Sequence, residues 1–278
     1  TRAVTVGDTL LQMEAIALFA TRADIGAGTI DLTVFEKGVS TRLTALFQPG
    51  DKVSLMGPTG VRSKMPDGKR IYLVIGNEMA ALQALSIGNN IDKSNGSKLY
   101  YIGTFSDKNK LTQRSELEAA CDAILWGTGT GAKINADRDQ DASATGDLCD
   151  VFTQFALGDF SNLPFTLSDI DRVTLITDTC TLKKFRELKY GTLSHYFKAG
   201  SKVFAGVYSA MQCMLKGVCS QCLQWQVDPI TGKRSKAVYA CSWQHQPIEM
   251  IDIDNIDDRL SQNMMQDTVN NHWLDYLF

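Results

Sequence analysis

The sequence predicts a mixed fold of α/β plus β class: antiparallel strands, then a parallel α/β sheet, then a small cysteine-bearing loop and hairpin. Three observations predict it. Residues 1–66 alternate β-forming residues between Gly and Pro turns. From Arg70 onward, near-continuous apolar strands alternate with segments of helical period. Cys213, Cys219, Cys222 and Cys241 crowd the last quarter of a 278-residue chain.

Each element follows from local pattern. Thr1 to Val6 carries alternating valines, and Thr29 to Phe35 alternates β-formers between Gly28 and Gly38. Thr9 to Arg22 reads as strand or short helix. Gln48-Pro49-Gly50-Asp51 is a turn, followed by a strand at Lys52 to Met56 that Gly57-Pro58 closes. Arg70 to Ile75 is apolar almost throughout, as expected of a strand covered on both faces. Glu78 to Ile91 has helical spacing, Lys98 to Thr104 is a strand, Ser115 to Ala120 is helical and Ala123 to Trp126 is a short strand. Arg172 to Thr177, Leu182 to Tyr190 and Lys202 to Val207 continue as strand, helix and strand. Residues 127–170, rich in Gly, Ala, Thr, Ser and Asp, read as a surface excursion with one helix near Leu148 to Leu157 and a solvated acidic stretch at 137–150. Ser261 to Phe278 is amphipathic and helical.

Composition excludes several classes. A net charge of −3 points to neither nucleic acid nor an anionic membrane as partner. No apolar run is long enough to span a bilayer, and the first residues do not read as a signal peptide. Seven cysteines are an odd number for a secreted disulfide framework, and a reducing cytoplasm suits them best. Cys121, Cys149 and Cys180 stand alone as buried or free thiols. Gly127-Thr128-Gly129-Thr130-Gly131-Ala132 resembles a phosphate loop but precedes no helix, so it reads as a flexible loop. His195, His245 and His272 are scattered, and His245 reads as a solvated loop residue.

The quartet is the strongest chemical signal. Its spacing, C-x5-C-x2-C-x18-C, puts three thiols on one loop and returns a fourth by a strand-turn-strand stretch. Four soft, deprotonated ligands can hold a [2Fe–2S] cluster or a zinc ion. Only Cys219 and Cys222 form the close pair that zinc knuckles use twice, which favours iron–sulfur. Trp225 and Trp243 flank the hairpin, where they shield a cluster or pack in the core. No acid–base or nucleophilic constellation is present, so no catalytic residue is assigned.

Several local motifs carry a resemblance. Arg2-Ala3-Val4-Thr5-Val6 looks like an R-x-x-[ST] flavin strand and Gly38-Val39-Ser40-Thr41 like a G-x-[ST]-[ST] flavin turn. Pro49-Gly50-Asp51 and Gly57-Pro58-Thr59-Gly60 look like turns that close a barrel. With the cysteine loop, this order resembles the ferredoxin–NADP reductase superfamily. The nearest branch holds the iron–sulfur electron-transfer subunit of dihydroorotate dehydrogenase and the small subunit of NADH-dependent ferredoxin:NADP oxidoreductase. The resemblance implies FAD in the intact protein, with Arg2 at the pyrophosphate, Thr5 at the isoalloxazine, and Gly38, Ser40 and Thr41 turning a helix start towards the pyrophosphate. It implies cluster ligands Cys213, Cys219, Cys222 and Cys241. The implied organisation is a partial flavin-binding barrel at 1–66, a nucleotide-binding-like α/β domain at 67–207 with an insertion at 127–170, a cluster subdomain at 208–250 and a helical tail at 251–278.

The chain departs from that family in three places. Roughly half a barrel precedes the arginine motif in relatives, whereas Arg2 stands second here, which predicts a fragment of a longer protein or strands supplied by others. The glycine-rich nicotinamide turn reads Ile75-Gly76-Asn77-Glu78-Met79-Ala80-Ala81-Leu82, keeping only Gly76, and a later loop reads Thr177-Asp178-Thr179-Cys180. Both weigh against NAD(P) binding. The function expected is an electron-transfer module of a dihydroorotate dehydrogenase-type or glutamate synthase-like oxidoreductase, passing electrons between FAD and the cluster to a partner flavoprotein, redox subunit or fused domain. The alternative is a zinc-stapled, non-catalytic interaction domain.

Overall fold

A computed structural model describes residues 2–6, 8–13, 15–18, 20–58, 68–207, 220 and 222–277. The chain opens with β1 (Arg2–Val6), β2 (Thr9–Met13), β3 (Ala20–Asp24) and β4 (Thr29–Leu32), then α1 (Val39–Leu43). β5 (Ile71–Gly76), α2 (Glu78–Gly88), β6 (Lys98–Phe105), α3 (Arg114–Ala120), β7 (Ala123–Thr128), β8 (Ala142–Thr145), α4 (Leu148–Leu157), β9 (Arg172–Ile176), α5 (Thr179–Tyr190) and β10 (Lys202–Gly206) follow. β11 (Leu223–Val227), β12 (Arg234–Tyr239), β13 (Gln246–Pro247) and α6 (Ile253–Leu277) complete it.

The central sheet has the order β13-β10-β9-β5-β6-β7-β8, parallel except for β13 at its edge. The apolar run of β5 is explained by burial on both faces. Tyr72 and Val74 pack towards α2 and α3, while Leu73 and Ile75 pack towards α4 and α5. Helices on both faces are what a parallel sheet requires. The chain moves outward from β5 through β8, then returns to the other side of β5 as β9. The order therefore reverses between β5 and β9.

The first strands form two antiparallel pairs, β1–β2 and β3–β4, rather than one continuous sheet, so no barrel closes among the described residues. The strand expected at Lys52 to Met56 does not form. Its alternation is real, but no described strand pairs with it, and Val53, Leu55 and Met56 stay exposed. The turn before it stands: Gly50 has φ +95° and the Asp51 N–H donates to the Gln48 carbonyl at 3.0 Å, as a type II turn demands.

Residues 127–170 are no surface excursion. β8 joins the parallel sheet, and Leu148, Val151, Phe152, Phe155, Phe165 and Ile170 enter the core. Phe165 stacks on Tyr100 with ring centroids 3.8 Å apart. The acidic stretch is not wholly solvated either. Asp141 is buried, accepts the Ile124 N–H at 2.8 Å and pairs with Arg138 at 2.8 Å, so its charge is compensated where it pins β8 beside β7. In the glycine run at the end of β7, Gly127 and Thr128 are strand residues and the rest bend away, with no helix directly behind them.

The terminal helix begins at Ile253, earlier than its amphipathic pattern suggests, because Ile253 and Ile256 belong to the main core. Its far end packs on α1. Leu274 joins Val6, Leu11 and Leu43 in a separate apolar cluster, and Arg42 donates to Asp275 at 2.7 Å and to the Asn271 carbonyl at 3.2 Å. No helix is long and apolar enough to cross a membrane among the described residues. Leu274 is fully buried, so Leu274→Ala is expected to cost about 2–5 kcal/mol locally. Hydrogen exchange should then quicken in β1, β2 and the end of α6 while β5 and β6 stay protected; equal loss of protection in the central sheet would contradict a separate cluster.

Candidate functional site

The hairpin of β11 and β12 brings two of the four predicted cysteines together. Leu223 faces Tyr239 in its register, and the Ala240 N–H donates to the Cys222 carbonyl at 3.0 Å, extending the ladder by one residue. This returns Cys241 to the start of β11, where its backbone N–H donates to Cys222 Sγ at 3.4 Å. Cys222 is buried and Cys241 half-buried. Cys213 and Cys219 lie outside the described residues, so the quartet as a whole is not on view. Among the described residues, no group of three or more metal-ligating side chains occurs.

Two features anchor this corner. Ser220 adopts φ +56°, uncommon for a residue with a side chain, and turns the loop into β11. Its carbonyl accepts from Arg259 of α6 at 2.9 Å and from the Leu223 N–H at 3.2 Å. On the buried face of β11, three glutamines form a ladder. Gln226 Nε2 donates to Gln246 Oε1 at 3.0 Å, and Gln246 Nε2 donates to Gln224 Oε1 at 2.7 Å. Gln224 Nε2 is buried and meets no acceptor among the described residues. An unpaired buried donor costs about 1–3 kcal/mol, so it marks a place where an electron-rich group fits. Cys222 and Gln224 are alternate residues on the same buried side of the strand. A sulfur-held metal centre fits both this donor and the Cys241 N–H, since both would face charged sulfur.

The other cysteines differ. Burial pushes the Cys121 thiol up to about 12 and the Cys149 thiol up to about 11, which keeps both protonated. Trp243 is exposed, with the Lys236 ammonium 4.5 Å from its ring centroid. Trp225 is half-buried, with Arg234 over its ring at 5.8 Å. His245 is half-buried rather than the solvated residue expected. Burial, helped by the Arg172 cation, pushes its pKa down to about 4.

The flavin-motif residues lie on elements that share the small cluster around Leu43. Thr5 is exposed on β1, and the Arg2 side chain lies outside the described residues. Gly38 precedes α1. The Thr41 hydroxyl accepts the Gly38 N–H at 2.9 Å and the Lys37 N–H at 3.0 Å, and donates to the Gly38 carbonyl at 2.8 Å. Thr41 thus shapes the turn, and Ser40 is half-buried beside it.

At the carboxyl edge of the sheet, where strand order reverses, open α/β sheets bind ligands. Gly76 ends β5 with φ +152°, and a Cβ there would stand 2.0 Å from the Ile176 carbonyl oxygen. Asn77 Oδ1 accepts the Met79 N–H at 3.1 Å, capping α2, with Glu78 in its first turn. Asp178 Oδ1 accepts the Thr181 N–H at 2.8 Å, capping α5. Both helix starts therefore spend donors on the chain's own side chains and carry a carboxylate, an arrangement that does not fit a dinucleotide pyrophosphate.

No family model matches the chain. It is 28% identical over 261 residues to an uncharacterized protein of Rickettsia prowazekii (strain Madrid E), covering 93% of this chain and 27% of that protein. The chain thus spans about a quarter of that relative's length. A solved structure described as giving insights into flavin-based electron bifurcation, that of the NADH-dependent reduced ferredoxin-NADP oxidoreductase, matches with a TM-score of 0.65 and 18% identity. The match covers 94% of this chain and 82% of that one. The chain shares that protein's reductase-like fold.

His245 generates a pH dependence with a definite sign. Its folded pKa of about 4 lies below the ordinary 6.5, so the unfolded chain binds the extra proton first. The stability contributed by neutral His245 is complete above about 6.5 and lost as pH falls towards about 4. Urea titrations across that window should show this slope, and His245→Leu should flatten it; an unchanged slope would contradict the burial.

Proposed function

We propose that this chain is the electron-transfer module of a flavin and iron–sulfur oxidoreductase. The observation that carries the reading is the closure of the hairpin, which sets the Cys241 N–H 3.4 Å from the buried Cys222 sulfur. The shared fold with a flavin-based oxidoreductase structure supports it. In this reading Cys213, Cys219, Cys222 and Cys241 hold a [2Fe–2S] cluster, which supplies one-electron transfer at a potential set by charge, burial and hydrogen bonds to sulfur. The chain's own part is to fix four thiolates, exclude water from the Cys222 side and offer N–H donors to sulfur.

FAD is the second cofactor of the proposal. Arg2, Thr5, Gly38, Ser40 and Thr41 are its residues, with Thr41 acting through the turn that it closes. The sheet's carboxyl edge takes no part in nicotinamide binding: capped helix starts and two carboxylates leave the α/β unit as scaffold. Electrons leave to a flavoprotein or redox partner, as a separate subunit or as a further part of a longer polypeptide. The substrate of that larger enzyme is a dihydroorotate- or glutamate-type compound only by resemblance.

Anaerobic purification and metal analysis test the proposal. The expected result is about two irons and about two labile sulfides per chain, with most of both lost in Cys222→Ser and Cys241→Ser but retained in Cys121→Ser. About one zinc and no iron or sulfide would replace it with a zinc-stapled interaction domain.

A further inference from the structure

The buried amide of Gln224 is only half used by the fold. Its oxygen is used: Gln246 donates to it at 2.7 Å. Its nitrogen is buried and faces no acceptor among the described residues. The ladder also has a direction. Donation runs from Gln226 to Gln246 and from Gln246 to Gln224, which is along β11 towards Cys222. The last donor of the series is therefore the one nearest the cysteine end of the strand. One pleat repeat separates Gln224 from Cys222, roughly 7 Å along the backbone, a span that a glutamine side chain and a metal-bound sulfur together bridge.

We infer that Gln224 is a hydrogen-bond donor to a sulfur of the cysteine-held cluster, with Gln246 and Gln226 as positioning residues that fix the amide's orientation. The inference rests on the proposal that the cysteines hold iron and sulfide. The chemistry is direct. A glutamine amide can turn either its oxygen or its nitrogen towards a neighbour, and only the nitrogen suits an electron-rich sulfur. In the ladder Gln246 Nε2 donates to the oxygen of Gln224, which leaves the nitrogen for the other side. Reversing Gln224 alone would set two N–H groups against each other. Neutral amides achieve this without adding a charge to the buried side of the hairpin. A donor to sulfur stabilises the reduced, more negative cluster and so raises its potential.

The experiment uses the full chain, loaded with iron and sulfide anaerobically. Redox titration followed by visible absorption should give a more negative midpoint for Gln224→Met than for the wild type. Resonance Raman spectra in heavy water should show a deuterium-sensitive iron–sulfur stretch that this variant loses, which a merely structural role would not cause. Pulsed electron paramagnetic resonance of the reduced wild type, labelled with 15N only at the glutamine side-chain amides, reads the contact without any substitution. A coupling to an amide nitrogen is expected. Its absence, or a cluster-loaded Gln224→Met with unchanged midpoint and unchanged deuterium shift, would overturn the assignment while leaving the iron–sulfur reading in place. A wild-type chain that binds no iron would instead overturn that reading, and the assignment with it.

Discussion

The proposed functional corner of this chain depends on one backbone contact, the Cys241 N–H directed at the Cys222 sulfur. It exists because β11 and β12 pair in a fixed register, and a shift of one residue would turn Cys222, Gln224 and Gln226 from the buried face to the outer one. The hairpin cannot hold that register alone, since two strands in water are marginal. Packing supplies the difference. Gln246 of β13 ties the buried face of β11 to the edge of the central sheet, and α6 reaches the same place through Arg259 at Ser220, Asn255 at the Trp225 N–H and Asp252 at Arg234. The cysteine pair is thus mounted on the large core by two routes, the rigidity that the proposed electron-transfer centre would need.

The same α6 continues to the other end of the molecule and covers Leu43 through Leu274. One helix therefore touches both proposed cofactor regions, the hairpin at its start and α1 at its end. Between them stands a sheet whose reversal point keeps the tight turn of a dinucleotide fold, with Gly76 forced by the Ile176 carbonyl, but whose helix starts are closed by Asn77 and Asp178. Gly76 survives because β9 and β5 approach too closely there for any side chain. Packing alone accounts for a glycine at this position.

Much of this was legible in the sequence. The uninterrupted apolar residues of β5 and the helical period after Glu78 announce a sheet covered on both faces, and the cysteine spacing announces a hairpin that closes on itself. What was hidden follows physical causes. Lys52 to Met56 has strand alternation, but alternation cannot create a partner. Asp141 looks like a loop acid until Arg138 and the Ile124 N–H are seen around it, because burial of a charge depends on residues brought in by the fold. His245 sits in a polar stretch, and only the packing of that stretch near Arg172 half-buries it and lowers its pKa. The glutamine ladder was missed because glutamine is ordinarily a surface residue. The signal was there: Cys222, Gln224 and Gln226 repeat with the period of two that places them on one face.

The proposal stands on whether the cysteines surround paired irons, and X-ray absorption on the purified full chain addresses this most directly. The iron edge should show sulfur neighbours together with an iron–iron scattering shell, both absent from Cys222→Ser. A zinc edge with four sulfur neighbours and no second metal would contradict the account.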